Sequence, residues 1–391
     1  MEYRSFGRLD FRPSALGFGC MRLPTLGDPA KIDEAEAIRM IRYAIDNGVN
    51  YLDSAYGYHR GQSERLLGKA LQDGYRQKVK IATKVPSWAV SERADFDRIL
   101  GEQLERLQTD HIDFYLMHNL NKANWARMKE LDACAWAERM IAQGRIGHLG
   151  FSFHDTFEQF KRILDEYDGW TMCQIQYNYM NEKTQAGTAG LRYAAAKGLA
   201  VVVMEPLLGG RLADLPSEVR AIFEQATPKR SLAEWGLQWV WNQPEVSLVL
   251  SGMSTMQQVQ ENVASASRSG VGKLTAEELQ IIEAARDKYN EICPIPCTQC
   301  RYCMPCPNGV DIPGNFSNFN VGIVHQKLEN SRARYADMKP EERASACIGC
   351  RECEDKCPQS IPISQWMPLI HNVLGKGKEY DANVCQQLRV N

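Results

Sequence analysis

The stretch AVVVM at Ala200–Met204 contains no polar residue, and FYLM at residues 114–117 is a second run of the same kind. A strand with one solvated face alternates apolar and polar residues, so unbroken apolar runs predict strands buried on both faces, as in a parallel sheet. Six more extended candidates accompany these two, and the full set comprises residues 15–21, 49–53, 79–84, 111–118, 146–152, 172–176, 200–205 and 247–252.

Amphipathic helical patterns separate these strand candidates, at residues 33–47, 63–72, 95–107, 124–143, 156–166, 190–197 and 232–242. Gly48, Gly144 and Gly198 follow three of them, and glycine accepts the left-handed conformation found at helix ends. About eight strand–helix units in roughly 290 residues fit a closed (β/α)8 TIM barrel of the α/β class. An open doubly wound sheet is the alternative, but its G-x-G-x-x-G fingerprint is absent.

The composition is that of an ordinary globular protein. The chain has 391 residues, a formal net charge of −2 and 44% hydrophobic residues, and this length predicts two domains. No basic surplus indicates nucleic-acid binding. The start, MEYRSFGRLD, contains no signal-peptide core, and no apolar stretch approaches the roughly 18 residues that a membrane-spanning helix needs. We therefore expect a cytoplasmic protein with neither a nucleic-acid nor a membrane partner.

Cysteines mark the C-terminal part of the chain, where nine of the thirteen fall between Cys293 and Cys357. One run is C-x2-C-x2-C-x3-C-P, formed by Cys347, Cys350, Cys353 and Cys357. The other repeats the triplet but closes one residue early, with Cys297, Cys300, Cys303 and Cys306. This spacing is typical of 4Fe–4S ligands. Disulfides belong to small secreted chains and zinc prefers paired C-x2-C motifs, so we favour iron–sulfur over both.

The domain boundary is expected at NEICPIPC, residues 290–297, where proline and cysteine replace helical periodicity. Domains of residues 1–290 and 291–391 follow from this boundary. Residues 312–339, between the cysteine runs, have a helical pattern with Pro313 near its start and Pro340 just after its end. The second domain is therefore predicted to be small, mostly helical and ferredoxin-like.

Polar side chains stand at the ends of three consecutive strand candidates. DSAYGY, residues 53–58, follows the second candidate, the third ends in Thr83-Lys84, and the fourth ends at His118. Active sites of such barrels lie at the carboxyl ends of the strands, so we expect these groups to meet at one mouth.

Residues 1–290 resemble the aldo-keto reductase family. The motifs DSAYGY, GQSERLLGKAL, ATKVP, LQTDHIDFYLMH, GRIGHLGFS, CQIQYN and QQVQENV occur in the family's order and spacing. The resemblance places the catalytic tetrad on Asp53, Tyr58, Lys84 and His118. Hydride addition to a carbonyl builds an alkoxide that needs a proton donor. We expect Tyr58 to be that general acid, assisted by the Lys84 cation that Asp53 orients, while His118 positions the substrate oxygen.

The resemblance also implies a nicotinamide cofactor, NADPH or NADH. Ser152 and Gln174 match carboxamide-binding positions, and Met204 stands where an aromatic residue often stacks on the nicotinamide ring. Residues 205–210 match the segment over the pyrophosphate, and Glu261 with Asn262 match the adenine-binding pair. The complete set of cofactor candidates is Ser152, Gln174, Met204, Pro206, Leu207, Gly209, Gly252, Gln258, Glu261 and Asn262.

Three of the matched positions bear on cofactor preference. Gly252, Met253 and Gln258 replace the Lys, Ser and Arg that many NADPH-selective members direct at the 2′-phosphate. Without a cation the phosphorylated cofactor gains no charge-assisted hydrogen bond there. We therefore predict relaxed or NADH-leaning specificity.

The cysteine runs resemble the two-cluster ferredoxin segment that follows the barrel in some bacterial aldo-keto reductases. The fourth cysteine of each such run ligates the other cluster. This exchange gives one cluster Cys297, Cys300, Cys303 and Cys357, and gives the other Cys347, Cys350, Cys353 and Cys306. The short spacing before Cys306 leaves Cys293 as an alternative ligand.

The favoured function is NAD(P)H-dependent reduction of a small carbonyl substrate by a protein that carries two 4Fe–4S clusters. A nicotinamide gives two electrons as hydride whereas the clusters pass one at a time, and no segment matches a flavin-binding motif that would connect them. An electron-transfer protein is a candidate partner. The alternatives are an electron-transfer subunit and a redox-sensing nicotinamide-binding protein. Trp88, Trp125 and Tyr179 are candidates for the pocket wall, and the loop histidines His59 and His154 are weaker candidates.

Overall fold

The computed structural model describes residues 1–297, 301–324 and 326–388. Eight parallel strands close into a barrel in the order in which they occur along the chain. They are β1 (Leu16–Gly19), β2 (Tyr51–Asp53), β3 (Lys80–Pro86), β4 (Ile112–Leu120), β5 (Ile146–Phe153), β6 (Met172–Gln176), β7 (Ala200–Met204) and β8 (Val246–Gly252). The predicted (β/α)8 barrel is confirmed, and the first four residues of AVVVM in β7 are fully buried as the apolar run requires.

Helices follow the strands along the chain: α1 (Glu34–Asp46), α2 (Gln62–Ala70), α3 (Ala94–Leu107), α4 (Lys122–Glu130), α5 (Ala133–Ala142), α6 (Phe157–Asp165), α7 (Gly187–Ala196), α8 (Ser217–Glu224), α9 (Leu232–Trp241), α10 (Met256–Ala266) and α11 (Ala276–Ile292). The single helix predicted over 124–143 is in fact α4 and α5. Asp132 separates them with a φ of 53°, a left-handed conformation that no helix continues through.

A cluster of apolar side chains fills the barrel interior. Phe6 from the N-terminal segment packs on Tyr51 and Phe114, with ring centroids 6.0 and 4.9 Å away, and joins Leu116 and Val202 in this core. Short antiparallel bridges, Tyr3 with Ser14 and Phe6 with Leu9, shape the segment before β1. The segment lies before the first strand and packs on residues near the strand starts, so the opposite end remains for polar groups.

The chain divides into two compact units. The first comprises Met1–Leu207 and Ala233–Thr275, and the second comprises Leu208–Leu232 and Ala276–Asn391. Within the second unit lie α8, α11, α12 (Ile312–Val324), α13 (Leu328–Asp337), α14 (Ile363–Ile370) and α15 (Ala382–Gln387). The predicted helical segment 312–339 is thus two helices. The hydrophobic core of the second unit includes Phe316, Phe319, Trp366 and Met367, together with several cysteines. None of the helices in the described ranges is both long and apolar enough to cross a bilayer.

Candidate functional site

A buried ion pair lies at the carboxyl ends of β2 and β3. Lys84 Nζ is 2.6 Å from Asp53 Oδ1 and 2.7 Å from the carbonyl oxygen of Ser54. Gln174 from β6 donates from Nε2 to Asp53 Oδ2 at 2.9 Å, so both carboxylate oxygens accept hydrogen bonds. Lys84 is 0% exposed. Full burial of the pair removes solvent screening, so the loss of either partner leaves an uncompensated charge.

Tyr58 lies in the short 3₁₀ turn that follows β2. Its hydroxyl is 3.5 Å from Lys84 Nζ, and the ammonium lies 5.0 Å from the ring centroid. Burial, reinforced by the charges of Asp53, Cys20 and Glu205, raises the pKa of Tyr58 well above its usual value. The net shift is upward because desolvation is its largest cause, although the Lys84 cation lies nearby. Tyr58 stays protonated at neutral pH, as a proton donor must.

His118 joins the group from β4, one strand further around the barrel. Its ring centroid is 6.0 Å from that of Tyr58, with the rings edge to face. Burial, followed by the charges of Lys84 and His154, lowers the pKa of His118 well below its usual value, so the imidazole is neutral. Its Nδ1 atom is buried and has no hydrogen-bond partner among the described residues. A neutral imidazole with an unused nitrogen is suited to hold a substrate oxygen.

An irregularity in β4 follows His118 and was not anticipated from the sequence. The pairing of β4 with β5 shifts between Met117 and Leu120, and Asn119 has a φ of 57°. The backbone N–H of Asn119 donates to Ser152 Oγ at 2.8 Å, which fixes the shifted strand end. Bulges of this kind redirect side chains near active sites, and this one follows the residue that completes the tetrad.

A second layer of polar residues supports Lys84 from behind. Gln103 of α3 donates from Nε2 to the carbonyl oxygen of Lys84 at 3.1 Å and to Glu64 Oε1 at 2.6 Å. Thr83 donates to the same Glu64 oxygen at 2.6 Å, and Arg106 pairs with the other oxygen at 3.2 Å. These residues were missed from the sequence. The pattern that could have identified them is a polar residue on the strand-facing side of an amphipathic helix, namely Glu64 in α2 and Gln103 in α3.

The remaining candidates at the mouth divide into two groups. Trp88 is 47% exposed and its ring centroid lies 5.0 Å from that of His118, so it borders the tetrad. His154 contributes to the lowered pKa of His118. Burial lowers the pKa of His154 itself to about 4, although a hydrogen bond with Gln185 opposes this shift. By contrast, Trp125 donates to Glu166 at 2.7 Å. His59 accepts from the backbone of Leu23 at 3.2 Å and contacts the carbonyl oxygen of Pro29, so both have structural partners.

The residues matched to carboxamide binding are buried on neighbouring strands, and those matched to adenine binding lie in the middle of α10. Ser152 and Gln174 are paired in register across β5 and β6, and both are about 1% exposed. Asn262 of α10 is buried and donates to Ser251 Oγ at 3.1 Å. Glu261 accepts a hydrogen bond from Gln257 at 2.8 Å and lies on the exposed side of the helix. Polar atoms buried at one strand level can orient a planar amide.

The remaining cofactor positions lie at the ends of β7 and β8 or just after them. Met204 ends β7, Pro206 and Leu207 follow it, and Gly209 has a φ of 68° that favours glycine. Gly252 ends β8, and Gln258 in the first turn of α10 accepts from the backbone N–H of Ser254 at 2.8 Å.

An arginine from the β1 loop lies at the end of β8. A Cβ atom added to Gly252 would lie only 3.2 Å from the Cβ of Arg22. The Arg22 guanidinium has no hydrogen-bond or ion-pair partner within the described ranges. Arg22 therefore places a positive charge beside Gly252, which is one of the three positions compared above with those that contact the 2′-phosphate of NADPH.

Two groups of cysteines are separated within the second unit. Cys297, Cys303 and Cys357 line one cavity with Phe316 and Ile361. In the other group, burial raises the pKa of the Cys353 thiol to about 11, and the charges of Glu354, Cys347 and Cys306 add to the rise. Cys350 is exposed, and Cys300 lies outside the described residues. No three His, Cys, Asp or Glu side chains within those residues are arranged to hold a single metal ion.

Two backbone features recur in the described parts of both cysteine runs, despite their different spacing. Arg301 and Arg351, each following the second cysteine of its run, have φ angles of 64° and 66°. The turn after Cys306 closes by a hydrogen bond from Gly309 N to Cys306 O, and that after Cys357 by Ser360 N to Cys357 O, both 3.0 Å. The equivalent turns make Cys306 the counterpart of Cys357.

Comparison with known proteins agrees with this architecture. The model of the Aldo/keto reductase family matches residues 15–287, and that of the 4Fe-4S dicluster domain matches residues 296–361. The chain is similar to L-galactose dehydrogenase of Arabidopsis thaliana, 26% identical over 303 residues, which covers 73% of this chain and 94% of that protein. It is also 25% identical over 319 residues to the uncharacterized oxidoreductase YqkF of Bacillus subtilis, covering 73% of this chain and 96% of the relative.

A solved structure shows the same likeness. The holo form of the aldo-keto reductase AKR11C1 from Bacillus halodurans superposes with a TM-score of 0.60 at 29% identity, covering 73% of this chain and 96% of that one.

Proposed function

The chain belongs to the aldo/keto reductase family, and from this membership we propose that it reduces a small carbonyl substrate with a nicotinamide cofactor. The observation that carries the proposal is the meeting of Asp53, Tyr58, Lys84 and His118 at one end of the barrel, with Lys84 bonded to Asp53 at 2.6 Å and Tyr58 within 3.5 Å of Lys84. The family and the 4Fe–4S domain are established, and the roles below are proposals.

A bound nicotinamide supplies the hydride that adds to the carbonyl carbon. As the carbon–oxygen π bond breaks, Tyr58 donates its hydroxyl proton to the oxygen. The phenolate left behind is stabilised by Lys84, whose charge is then balanced by two anions instead of one. Neutral His118 hydrogen-bonds the same substrate oxygen and fixes its distance from Tyr58. The Trp88 ring lies beside that of His118 and would border this oxygen site.

The dinucleotide is proposed to lie across Ser152, Gln174, Met204, Pro206, Leu207, Gly209, Gly252, Gln258, Glu261 and Asn262. The Gln174 side chain supports this placement, because its Nε2 donates to Asp53 and its Oε1 makes no hydrogen bond within the described part of the chain. An amide oxygen in that condition can accept from a carboxamide N–H₂ group. Gln174 would then connect the cofactor to the buried ion pair.

We expect the dissociation constants of NADPH and NADH to differ by less than about tenfold. Arg22 is exposed, and a single solvent-exposed ion pair contributes about 0–1 kcal/mol. Arg22→Ala should remove any preference for NADPH that exists. The measurement is cofactor titration by fluorescence, with Arg12→Ala as the control because Arg12 precedes β1 and lies at the other end of the strand. An NADPH preference above about 100-fold that persists in Arg22→Ala would contradict this account.

Two 4Fe–4S clusters are proposed for the second unit, with exchanged fourth ligands. Cys297, Cys300, Cys303 and Cys357 would hold one, and Cys347, Cys350, Cys353 and Cys306 the other. Support comes from the cavity that Cys357 shares with Cys297 and Cys303, and from the electrostatic effect of Cys347 and Cys306 on the Cys353 thiol. The clusters supply one-electron chemistry.

This assignment predicts different results for Cys306, which closes the first run, and for Cys293, which precedes that run. Anaerobically reconstituted wild-type protein should contain about eight iron atoms per chain, and Cys306→Ser should lower the iron bound in intact clusters to about four. Cys293→Ser should leave about eight, because Cys293 is buried with its thiol directed at the carbonyl oxygen of Ile295. Loss of a cluster from Cys293→Ser but not from Cys306→Ser would reverse the ligand assignment.

We propose that the protein acts in the cytoplasm, where cysteine thiols remain reduced and can serve as cluster ligands. A small carbonyl compound is the proposed substrate and an electron-transfer protein the proposed partner of the clusters. The similarity to L-galactose dehydrogenase supports the inclusion of L-galactose and related sugars in a substrate screen.

A further inference from the structure

Helix α12 separates the two cysteine runs and contains three buried asparagines. Asn315, Asn318 and Asn320 are between 0% and 9% exposed in a helix whose other side chains are mostly apolar. Asparagine is a poor residue for a helix interior, because its amide competes for backbone hydrogen bonds. A buried amide without partners is costly, so the partners of these three residues indicate why they are there.

Asn320 holds the chain just before the first cysteine run. Its Nδ2 donates to the carbonyl oxygen of Ile295 at 2.7 Å, and its Oδ1 accepts from the backbone N–H of Ile295 at 3.1 Å. The Asn320 side chain therefore pairs with both the backbone N–H and the backbone carbonyl of Ile295. Ile295 is fully buried and lies two residues before Cys297. This reciprocal pair fixes where the first run begins.

Asn315 holds the chain before the second run in the same manner. Its Oδ1 accepts from the backbone N–H of Ala344 at 2.9 Å, and its Nδ2 donates to the carbonyl oxygens of Glu342 and Asp311 at 2.8 and 2.7 Å. Ala344 is 2% exposed and lies three residues before Cys347. The bond to Asp311 is local, whereas the two others cross to the segment that leads into the second run.

The two asparagines point to different sides of one rigid element. Each residue of an α-helix turns it by about 100°, so residues five apart point about 140° apart. Asn320 and Asn315 therefore reach two separate segments from a common support. We propose that Asn320 and Asn315 are positioning residues for the two iron–sulfur clusters, each setting the placement of one cysteine run. This inference rests on the two-cluster proposal above.

Asn318 provides a matched control on the same helix. Its Nδ2 donates to the carbonyl oxygen of Ser331 at 2.8 Å, and Ser331 Oγ donates back to the carbonyl oxygen of Asn318 at 2.8 Å. These bonds join α12 to α13 and contact neither cysteine run. Asn318→Ala removes a buried side-chain hydrogen bond to the backbone, which is the same kind of bond that Asn320→Ala and Asn315→Ala remove. It keeps the hydrogen bonds that hold Ile295 and Ala344.

The test measures iron and sulfide per chain, and the spin integral of the dithionite-reduced EPR spectrum, after anaerobic reconstitution of the full chain. Asn320→Ala and Asn315→Ala should each lower iron from about eight to about four and halve the spin integral, whereas Asn318→Ala should match the wild type. An uncoupled one-cluster spectrum in the first two variants is a signature that general destabilisation would not produce, since an unfolded second unit loses both clusters.

Combined substitutions identify which cluster each asparagine serves. Asn320→Ala should add no further loss to Cys297→Ser but should remove nearly all iron from Cys347→Ser, and Asn315→Ala should do the reverse. Wild-type iron content in Asn320→Ala and Asn315→Ala, or equal loss of both clusters in all three asparagine variants, would overturn the inference. A wild-type protein without two clusters would instead refute the two-cluster proposal on which the inference rests.

Discussion

Replacement of Tyr58 by phenylalanine is expected to lower kcat for carbonyl reduction by about 10²–10⁴-fold, the usual contribution of a positioned general acid. The variant loses only the hydroxyl that lies 3.5 Å from Lys84 Nζ. Binding of the nicotinamide cofactor should change little, because the ring remains. Steady-state kinetics with an aldehyde substrate and a separate cofactor titration make the measurement.

Tyr56→Phe is the matched control for this substitution. Tyr56 lies in the same DSAYGY stretch, but its hydroxyl donates to Glu102 at 2.7 Å on the outer side of α3. Its loss should cost about 0.5–1.5 kcal/mol of stability and leave kcat within about twofold. If Tyr58→Phe retained most of the activity, or if both variants lost it equally, Tyr58 would not be the proton donor.

Lys84→Met is the second substitution with a large expected effect, and it should impair both catalysis and stability. It leaves Asp53 buried without its cation, and breaking a buried ion pair on one side typically costs about 3–5 kcal/mol. Burial already raises the pKa of Asp53, with Lys84 the main opposing influence, so the substitution raises that pKa further. Denaturant unfolding at several pH values measures the cost.

The direction of the pH dependence follows from the sign of this shift. A carboxyl whose folded pKa exceeds its unfolded value of about 3.9 favours folding while it is protonated, and that contribution is lost as pH rises through the folded pKa. The stability deficit of Lys84→Met should therefore shrink as pH falls through the raised pKa of Asp53 toward its unfolded value of about 3.9. Lys84→Met combined with Asp53→Asn should restore much of the stability at neutral pH but none of the activity. A deficit that grows with acidification would contradict the account.

Much of the barrel was predictable because its signals are local. Continuous apolar runs such as AVVVM require burial on both faces, and all eight strand candidates correspond to strands of the barrel. The tetrad candidates stand at strand ends, and strands that close in sequence order bring those ends together. The spacing of the cysteines is likewise a local signal, and it is typical of 4Fe–4S ligands.

Other features depend on contacts that no local pattern encodes. The break at Asp132 and the bulge at Asn119 arise because single residues adopt left-handed conformations. The proximity of Arg22 to Gly252 joins loops that are far apart in sequence. The raised pKa of Tyr58 reflects its desolvation in the folded protein, which the charge of the nearby Lys84 does not offset. The role of the α12 asparagines appears only once their backbone partners are known.

The most direct test of hydride transfer at the barrel mouth follows deuterium from NADH into the product. The full chain is incubated with NADH that carries deuterium on the transferred position of C4, with benzaldehyde as the carbonyl probe, and the alcohol is analysed by mass spectrometry. Direct transfer beside Tyr58 predicts one deuterium on the carbinol carbon in ordinary water, and none there when unlabelled NADH is used in heavy water. Deuterium that comes from the solvent instead, as after sequential one-electron delivery, would contradict the account.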